Sequence, residues 1–235
     1  MKVYAISDTH GITKKLELPA CDLLLHAGDI CADSYMRVWT RHFPELTVDW
    51  MREVWLPWMQ PMLDDGWVKQ VVMTWGNHDW TQNLPAGSFN FLPPQVRIGV
   101  DELIEVDGVK IWCSPWSNEF NGWSWMKESI LLEERYARIP KDVDIILSHQ
   151  PPLGYGGSGP GLIDHRTGEL LELGSAELVE AINRVRPKHV VCGHIHAGAG
   201  KYRMPNGTQV WNVSVVNEQY KLVREAVELP MLEGG

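Results

Sequence analysis

Residues 71–79 read VVMTWGNHD: an apolar, β-branched run that meets a glycine and then gives way to Asn77, His78 and Asp79. A run of that length bounded by glycine reads as a buried strand ending in a turn. The same layout recurs four more times. Val3–Ser7 leads into Asp8-Thr9-His10, and Leu23–Ala27 into Gly28-Asp29. Ile145–Ser148 leads into His149, and Val190–Cys192 into Gly193-His194-Ile195-His196. In α/β sheets ligands collect beyond the carboxyl ends of strands. Five such ends carrying only Asp, Asn and His is the distribution a metal site needs.

The spacing within each cluster fits that reading. In extended chain, residues i and i+2 face the same way, so Asp8 can share a volume with His10, and His194 with His196. Gly28, Gly76 and Gly193 allow sharp turns or close backbone approach at these ends. Carboxylate oxygen, amide oxygen and imidazole nitrogen together suit manganese, iron or zinc, and magnesium less directly. Taken singly, a DxH triplet reads equally well as a capped turn, and a lone HxH as a packed pair. The ordered set DxH, GD, GNHD, SH, GHxH in one chain is what carries the assignment.

Bulk properties bound the alternatives. The 235 residues are 44% hydrophobic and 22% charged, which suits one folded domain spanning 1–235 rather than a disordered chain. The apolar run at the N-terminus is too short for a signal-peptide core, and no stretch approaches the ~18 residues needed to span a bilayer, so a cytoplasmic protein is expected. Cys21, Cys31, Cys113 and Cys192 show no CxxC spacing and read as reduced, mostly buried thiols. A net charge of -9 argues against general binding of nucleic-acid backbones. It does not exclude a small phosphate substrate, because bound cations can reverse the field locally.

Further strands are expected at Glu102–Val106, Lys110–Ser114, Gln209–Val215 and Leu222–Leu229, with Asp107-Gly108 as a hairpin turn. Helices are expected over Val48–Met62, Trp125–Tyr136 and Ser175–Val185, the last with Ser175 as N-cap. Leu153–Leu162 (LGYGGSGPGL) lacks the ending of a phosphate-binding P-loop and reads as a loop beside the site. The mixture of strands and helices implies an α/β architecture.

The ordered motifs, spanning residues 8 to 196, resemble those of the calcineurin-like metallophosphoesterase superfamily. Leu23–Asp29 (LLLHAGD), Ser114–Trp123 (SPWSNEFNGW), His149–Gly154 (HQPPLG) and Cys192–Gly200 (CGHIHAGAG) further resemble the metallophosphoesterase-domain-containing proteins. The resemblance implies a four-layer αββα sandwich: two mixed β-sheets face each other, helices flank them, and the metals sit at one edge. It implies that Asp8, His10, Asp29 and His196 hold a first ion, and that Asp29 bridges to a second held by Asn77, His149 and His194. Two divalent ions would be bound, manganese being the expected one, and a metal-bridging hydroxide would attack phosphorus. His78 would face the substrate as proton donor, with Asp79 orienting it through a hydrogen bond or lying on the surface.

The expected activity is hydrolysis of small phosphate esters, phosphodiesters such as cyclic or small nucleotides being favoured over monoesters. Neither a long nucleic acid nor a membrane is expected as partner. A non-catalytic interaction module built on the same fold is the rival from another class, but such a module is expected to have lost ligands, and this chain has lost none. His26 is placed either beside a ligand or simply packed. Trp39, Trp50, Trp55 and Trp58 are expected to pack the helical region. Trp80, Trp116 and Trp123 lie near site segments, where packing is favoured over stacking on a nucleobase.

Overall fold

The computed structural model describes residues 1–230. Its strands are β1 (Val3–Ile6), β2 (Cys21–His26), β3 (Ser34–Tyr35), β4 (Val38–Trp39), β5 (Val68–Met73), β6 (Val96–Ile98), β7 (Glu102–Val106), β8 (Val109–Ser114), β9 (Ser117–Asn118), β10 (Met126–Lys127), β11 (Ile145–Ser148), β12 (His189–Cys192), β13 (Gly200–Arg203), β14 (Gln209–Asn212) and β15 (Val227–Leu229). The α-helices are α1 (Glu45–Trp50), α2 (Leu56–Asp64), α3 (Ser129–Tyr136) and α4 (Ala176–Val185).

Two mixed sheets organise the chain. One runs β15-β1-β2-β5-β6 and the other β13-β14-β12-β11-β8-β7. The inner strands are parallel, while β15, β13 and β7 are antiparallel edges. Parallel strands covered on both faces become continuous apolar runs, which is why LLL in β2, VVM in β5 and IIL in β11 are legible. Within them the two-residue alternation sorts the faces. Val3, Ala5, Leu23, Leu25 and Val72 meet Ile111, Cys113, Ile145, Leu147 and Val191 between the sheets. The alternate residues Leu24, Val71, Ile146 and Val190 face outward and cluster with the helices' Trp50, Met51, Trp55, Leu132, Leu178 and Ile182. The result is the expected four layers. No helix among the described residues is long and apolar enough to cross a membrane.

Local chemistry explains the boundaries. Asp107 and Gly108 both take positive φ (48° and 82°), the hairpin turn that joins β7 to β8. Ser175 caps α4, its Oγ accepting from Leu178 N at 3.2 Å. The helix expected over Val48–Met62 extends over 45–64 and is interrupted by a π-helical turn, Met51–Trp55. Pro57 and Pro61 lack the N–H that a regular helix needs there. The helix expected from Trp125 starts only at Ser129, because Met126 and Lys127 pair instead with Ser117 and Asn118. The expected strand Leu222–Leu229 shortens to β15, Leu222 forming only an isolated bridge with Val216. All four cysteines are free and buried, as expected.

The sheets converge at the edge that follows β1, β2, β5, β11 and β12. Ser7 forms a parallel bridge with Ser214, and its N donates to Val213 O at 3.0 Å, tying the first sheet to the segment after β14.

Candidate functional site

That edge gathers all seven expected ligands. Asp8, His10 and His196 form one group, Asp29, His149 and His194 another, and His10 also groups with Asp33 and His78; within each group the ligand atoms lie within 4.8 Å of one another. Asn77 joins the second group, its Oδ1 2.9 Å from His149 Nε2. Asp29 stands between the groups: Oδ2 is 3.3 Å from His149 Nε2 and 3.8 Å from His10 Nε2.

The backbone is bent to make this possible. Asp8 (φ 56°), His10 (φ 43°), Asp29 (φ 53°) and His194 (φ 66°) are all left-handed. Such conformations cost of order 1 kcal/mol each in a non-glycine residue and concentrate at functional sites. Two glycines are required by close approach. A Cβ on Gly76 would overlap Asp29 Oδ1, and one on Gly193 would overlap Asp8 Oδ2. The carboxylates are held from behind as well. His194 N donates to Asp8 Oδ1 and Oδ2 at 3.0 and 3.1 Å, and His78 N to Asp29 Oδ1 at 2.8 Å.

The electrostatics call for cations. Asp8 and Asp29 are fully buried, and among the described residues their ion-pair partners are imidazoles alone. His149 Nδ1 faces the Ala27 carbonyl at 2.8 Å, and His196 Nδ1 the Asn217 carbonyl at 3.1 Å. A carbonyl only accepts, so both Nδ1 atoms carry the proton. Each Nε2 therefore points its lone pair into oxygens: His149 toward Asn77 and Asp29, His196 toward Asp8 at 3.6 Å. A second proton or a cation relieves that. Protonation is favoured at His149, where burial opposes the charge but Asp29 outweighs it and lifts the pKa to about 9. Burial pushes His10 down to about 4 and His194 to about 3, which leaves both imidazoles neutral as metal binding requires. The residues present thus fit a pair of divalent ions.

His78 lies next to this cluster, its ring edge-on to His10 with centroids 4.8 Å apart. Its partner differs from the expected one. His78 Nδ1 lies 2.6 Å from Asp33 Oδ1. Burial disfavours the His78 cation, but Asp29 and Asp33 more than compensate and raise its pKa to about 9. Asp33 was not singled out from the sequence; its only signal is its place four residues after Asp29, in GDICAD.

Asp79 neither bonds His78 nor lies on the surface. It is fully buried, and its carboxylate accepts from Ile30 N (3.0 Å), Cys31 N (2.9 Å) and Gly76 N (2.8 Å). Three backbone donors engage both oxygens, and the His78 imidazole turns instead to Asp33. Asp79 thereby clamps the loop after β2 to the loop after β5. Asp79→Ala is expected to destabilise the fold by ~3 kcal/mol, because three buried N–H groups lose their acceptor. Urea denaturation checks this; an unchanged midpoint would show that the clamp contributes nothing.

Other residues fall into place around the centre. His26 is buried with Nε2 3.0 Å from Thr9 Oγ1, so it supports the loop between Asp8 and His10, and among the described residues its side chain makes no hydrogen bond to a ligand. The glycine-rich loop does lie beside the site: Gly159 packs against Ala197, and Gly156 O accepts from Asn212 Nδ2 at 2.9 Å. Trp50 and Trp55 pack the helical region, as expected. Trp116 is buried and donates to Asp101 Oδ1 at 2.9 Å. Trp39, by contrast, is 58% exposed, because it sits on the two-residue ribbon β3–β4 and not on the helices. Tyr220 was also missed; its ring lies edge-on to His10 with centroids 4.6 Å apart.

Comparison with known proteins decides the family. The model of the calcineurin-like phosphoesterases matches residues 1–198. The chain belongs to this family. Among relatives of this calcineurin-like phosphoesterase, Metallophosphoesterase domain-containing protein 1 of Homo sapiens is 28% identical over 252 residues, covering 96% of this chain and 69% of that protein. TT1561 of Thermus thermophilus matches with a TM-score of 0.52 at 14% identity, over 90% of this chain and 88% of that one. Purple acid phosphatase PPD1 from yellow lupin seeds matches with a TM-score of 0.50 at 13% identity, over 99% of this chain and 46% of that one. At such identities these two likenesses show the fold.

Proposed function

We propose that this calcineurin-like phosphoesterase hydrolyses small phosphodiesters, cyclic or small nucleotides among them. Asp8, His10, Asp29 and His196 would hold one divalent ion, and Asp29, Asn77, His149 and His194 a second, manganese being the expected metal. Divalent ions there would supply Lewis-acid stabilisation of phosphoryl oxygens and lower the pKa of water.

The chain's own part is positioning and proton transfer. The left-handed turns and the backbone donors hold the ligand oxygens in place before substrate arrives, which is how a preorganised site avoids reorganisation during reaction. Asp33 engages His78 at Nδ1, which leaves Nε2 as the nitrogen that donates a proton to the departing oxygen. The net charge of -9 disfavours long nucleic acids as substrates.

The observation that supports this reading is the position of Asp29, whose Oδ2 is 3.3 Å from His149 Nε2 in its own group and 3.8 Å from His10 Nε2 in the other, with the ion-pair partners of Asp8 and Asp29 among the described residues being imidazoles alone. The diester preference rests on the same charge count. A diester brings one negative charge and a monoester dianion two, and among the described residues the side chains paired with Asp8, Asp29 and Asp33 are imidazoles, with no Lys or Arg in those pairs. The test is a paired assay with manganese added: bis(p-nitrophenyl) phosphate is expected to be turned over faster than p-nitrophenyl phosphate, and a chelator should stop both. Faster turnover of the monoester would reverse the preference, and hydrolysis indifferent to chelator would remove the metal reading.

A further inference from the structure

A cavity of about 220 Å³ opens beside the centre, lined by Asp33, Trp39, Arg41, His42, Trp80 and Trp123. Two of these residues tie it to the site. Asp33 holds His78, and the Trp123 ring lies over the His78 ring with centroids 4.3 Å and planes 34° apart. The aromatic wall continues outward. Trp80 is 6.0 Å from Trp123, and the Arg41 guanidinium lies 5.8 Å from the Trp80 ring. Trp39 and Arg41 come from the ribbon β3–β4 and the segment after it. That ribbon is tied back to the same aspartate, since Thr40 N and Thr40 Oγ1 both donate to Asp33 O at 3.0 Å. The geometry of the cup is thus fixed relative to His78.

Resting on the phosphoesterase reading, we infer that this cup is a subsite for a planar aromatic ring of the substrate, one bearing hydrogen-bond acceptors, while the ester's phosphorus lies at the neighbouring centre. The size sets the occupant. Sites that enclose a whole drug-sized ligand run to about 300–1,000 Å³, so this cup takes a single ring system and not the full ester. The lining sets the chemistry. Aromatic rings stack on indole faces whatever their sequence of substituents, and Trp39 leaves 58% of its surface open for that purpose. Arg41 forms no ion pair among the described residues and offers a fan of N–H donors at the rim.

Phenylphosphonate and methylphosphonate separate the ring from the phosphoryl group. Binding of each to the manganese-loaded protein is measured by calorimetry, with no turnover involved. Phenylphosphonate is expected to bind about tenfold tighter than methylphosphonate, and Trp39→Ala to reduce that ratio to near one while leaving methylphosphonate unchanged. Trp39→Phe should restore most of the ratio, and that rescue separates ring contact from loss of folding. Nitro substitution of the phenyl ring should add affinity in the wild type and none in Arg41→Ala. Equal binding of the two phosphonates, binding of neither, or a ratio untouched by Trp39→Ala overturns the subsite. Loss of the proposed function would show elsewhere, as absence of metal-dependent hydrolysis in the paired ester assay.

Discussion

Replacing Asp29 by alanine is expected to strip both ions from the protein and to cut turnover by ~10³-fold or more. The expectation follows from its place between the two groups. Asp29 Oδ2 is 3.3 Å from His149 Nε2 on one side and 3.8 Å from His10 Nε2 on the other. Its other oxygen accepts from His78 N at 2.8 Å. Removing the carboxylate leaves each group short of an anionic donor and His78 N without its acceptor. It also leaves fewer anions to offset two dications, so affinity falls at both positions together. Asn77→Ala should behave differently. Among the described residues the Asn77 side chain bonds the second group, through His149, so that variant should keep one ion per chain and lose the other. Elemental analysis after manganese reconstitution reads the difference directly: two ions per chain in the wild type, one in Asn77→Ala, near none in Asp29→Ala. Two ions in Asp29→Ala with turnover within ~10-fold of the wild type would show that the carboxylate is not shared. A thermal melt on the same samples separates loss of metal from loss of fold.

What the sequence disclosed and what it hid follow from the range of the interactions involved. The five strand ends were legible because each joins two local signals, a buried apolar run and a polar cluster directly after it. Within each sheet parallel pairing points neighbouring carboxyl ends the same way, and the Ser7–Ser214 bridge brings the two sheets' ends together. The edge strands β6 and β13 were not legible. Arg97 interrupts the first, and GKYR has neither the alternation nor the continuous apolar run of a covered strand. The ribbon β3–β4 escaped for the same reason, and with it the position of Trp39. Asp79 and Asp33 show the deeper limit. Sequence adjacency made Asp79 the natural partner of His78, but its side chain turns back to three backbone donors, two of them 48 and 49 residues away in the chain. Asp33 reaches His78 across 45 residues. Which carboxylate meets which imidazole is decided by how two loops pack, and no local pattern encodes that.

The exchange of partners makes the behaviour of His78 specific enough to test. His78→Ala is expected to retain both ions, because the imidazole, although grouped with His10 and Asp33, is engaged at Nδ1 by Asp33, and the hydrogen bond to Asp29 comes from the backbone N, which alanine keeps. Turnover of esters with alkoxide leaving groups should fall by ~10²–10³-fold, the usual contribution of a positioned general acid. Turnover of bis(p-nitrophenyl) phosphate should fall far less, since p-nitrophenolate departs without needing a proton. Asp33→Asn should lie between the two. The amide oxygen can still accept from Nδ1, preserving orientation, while the charge that favours the imidazolium is lost. The two variants should therefore show the same dependence on leaving group at different amplitudes, with metal content unchanged in both. An equal loss on alkyl and nitrophenyl esters would assign His78 to binding the phosphoryl group rather than to protonating the leaving oxygen. An unchanged rate on both would remove it from the reaction, and with it the reason for a carboxylate at Asp33.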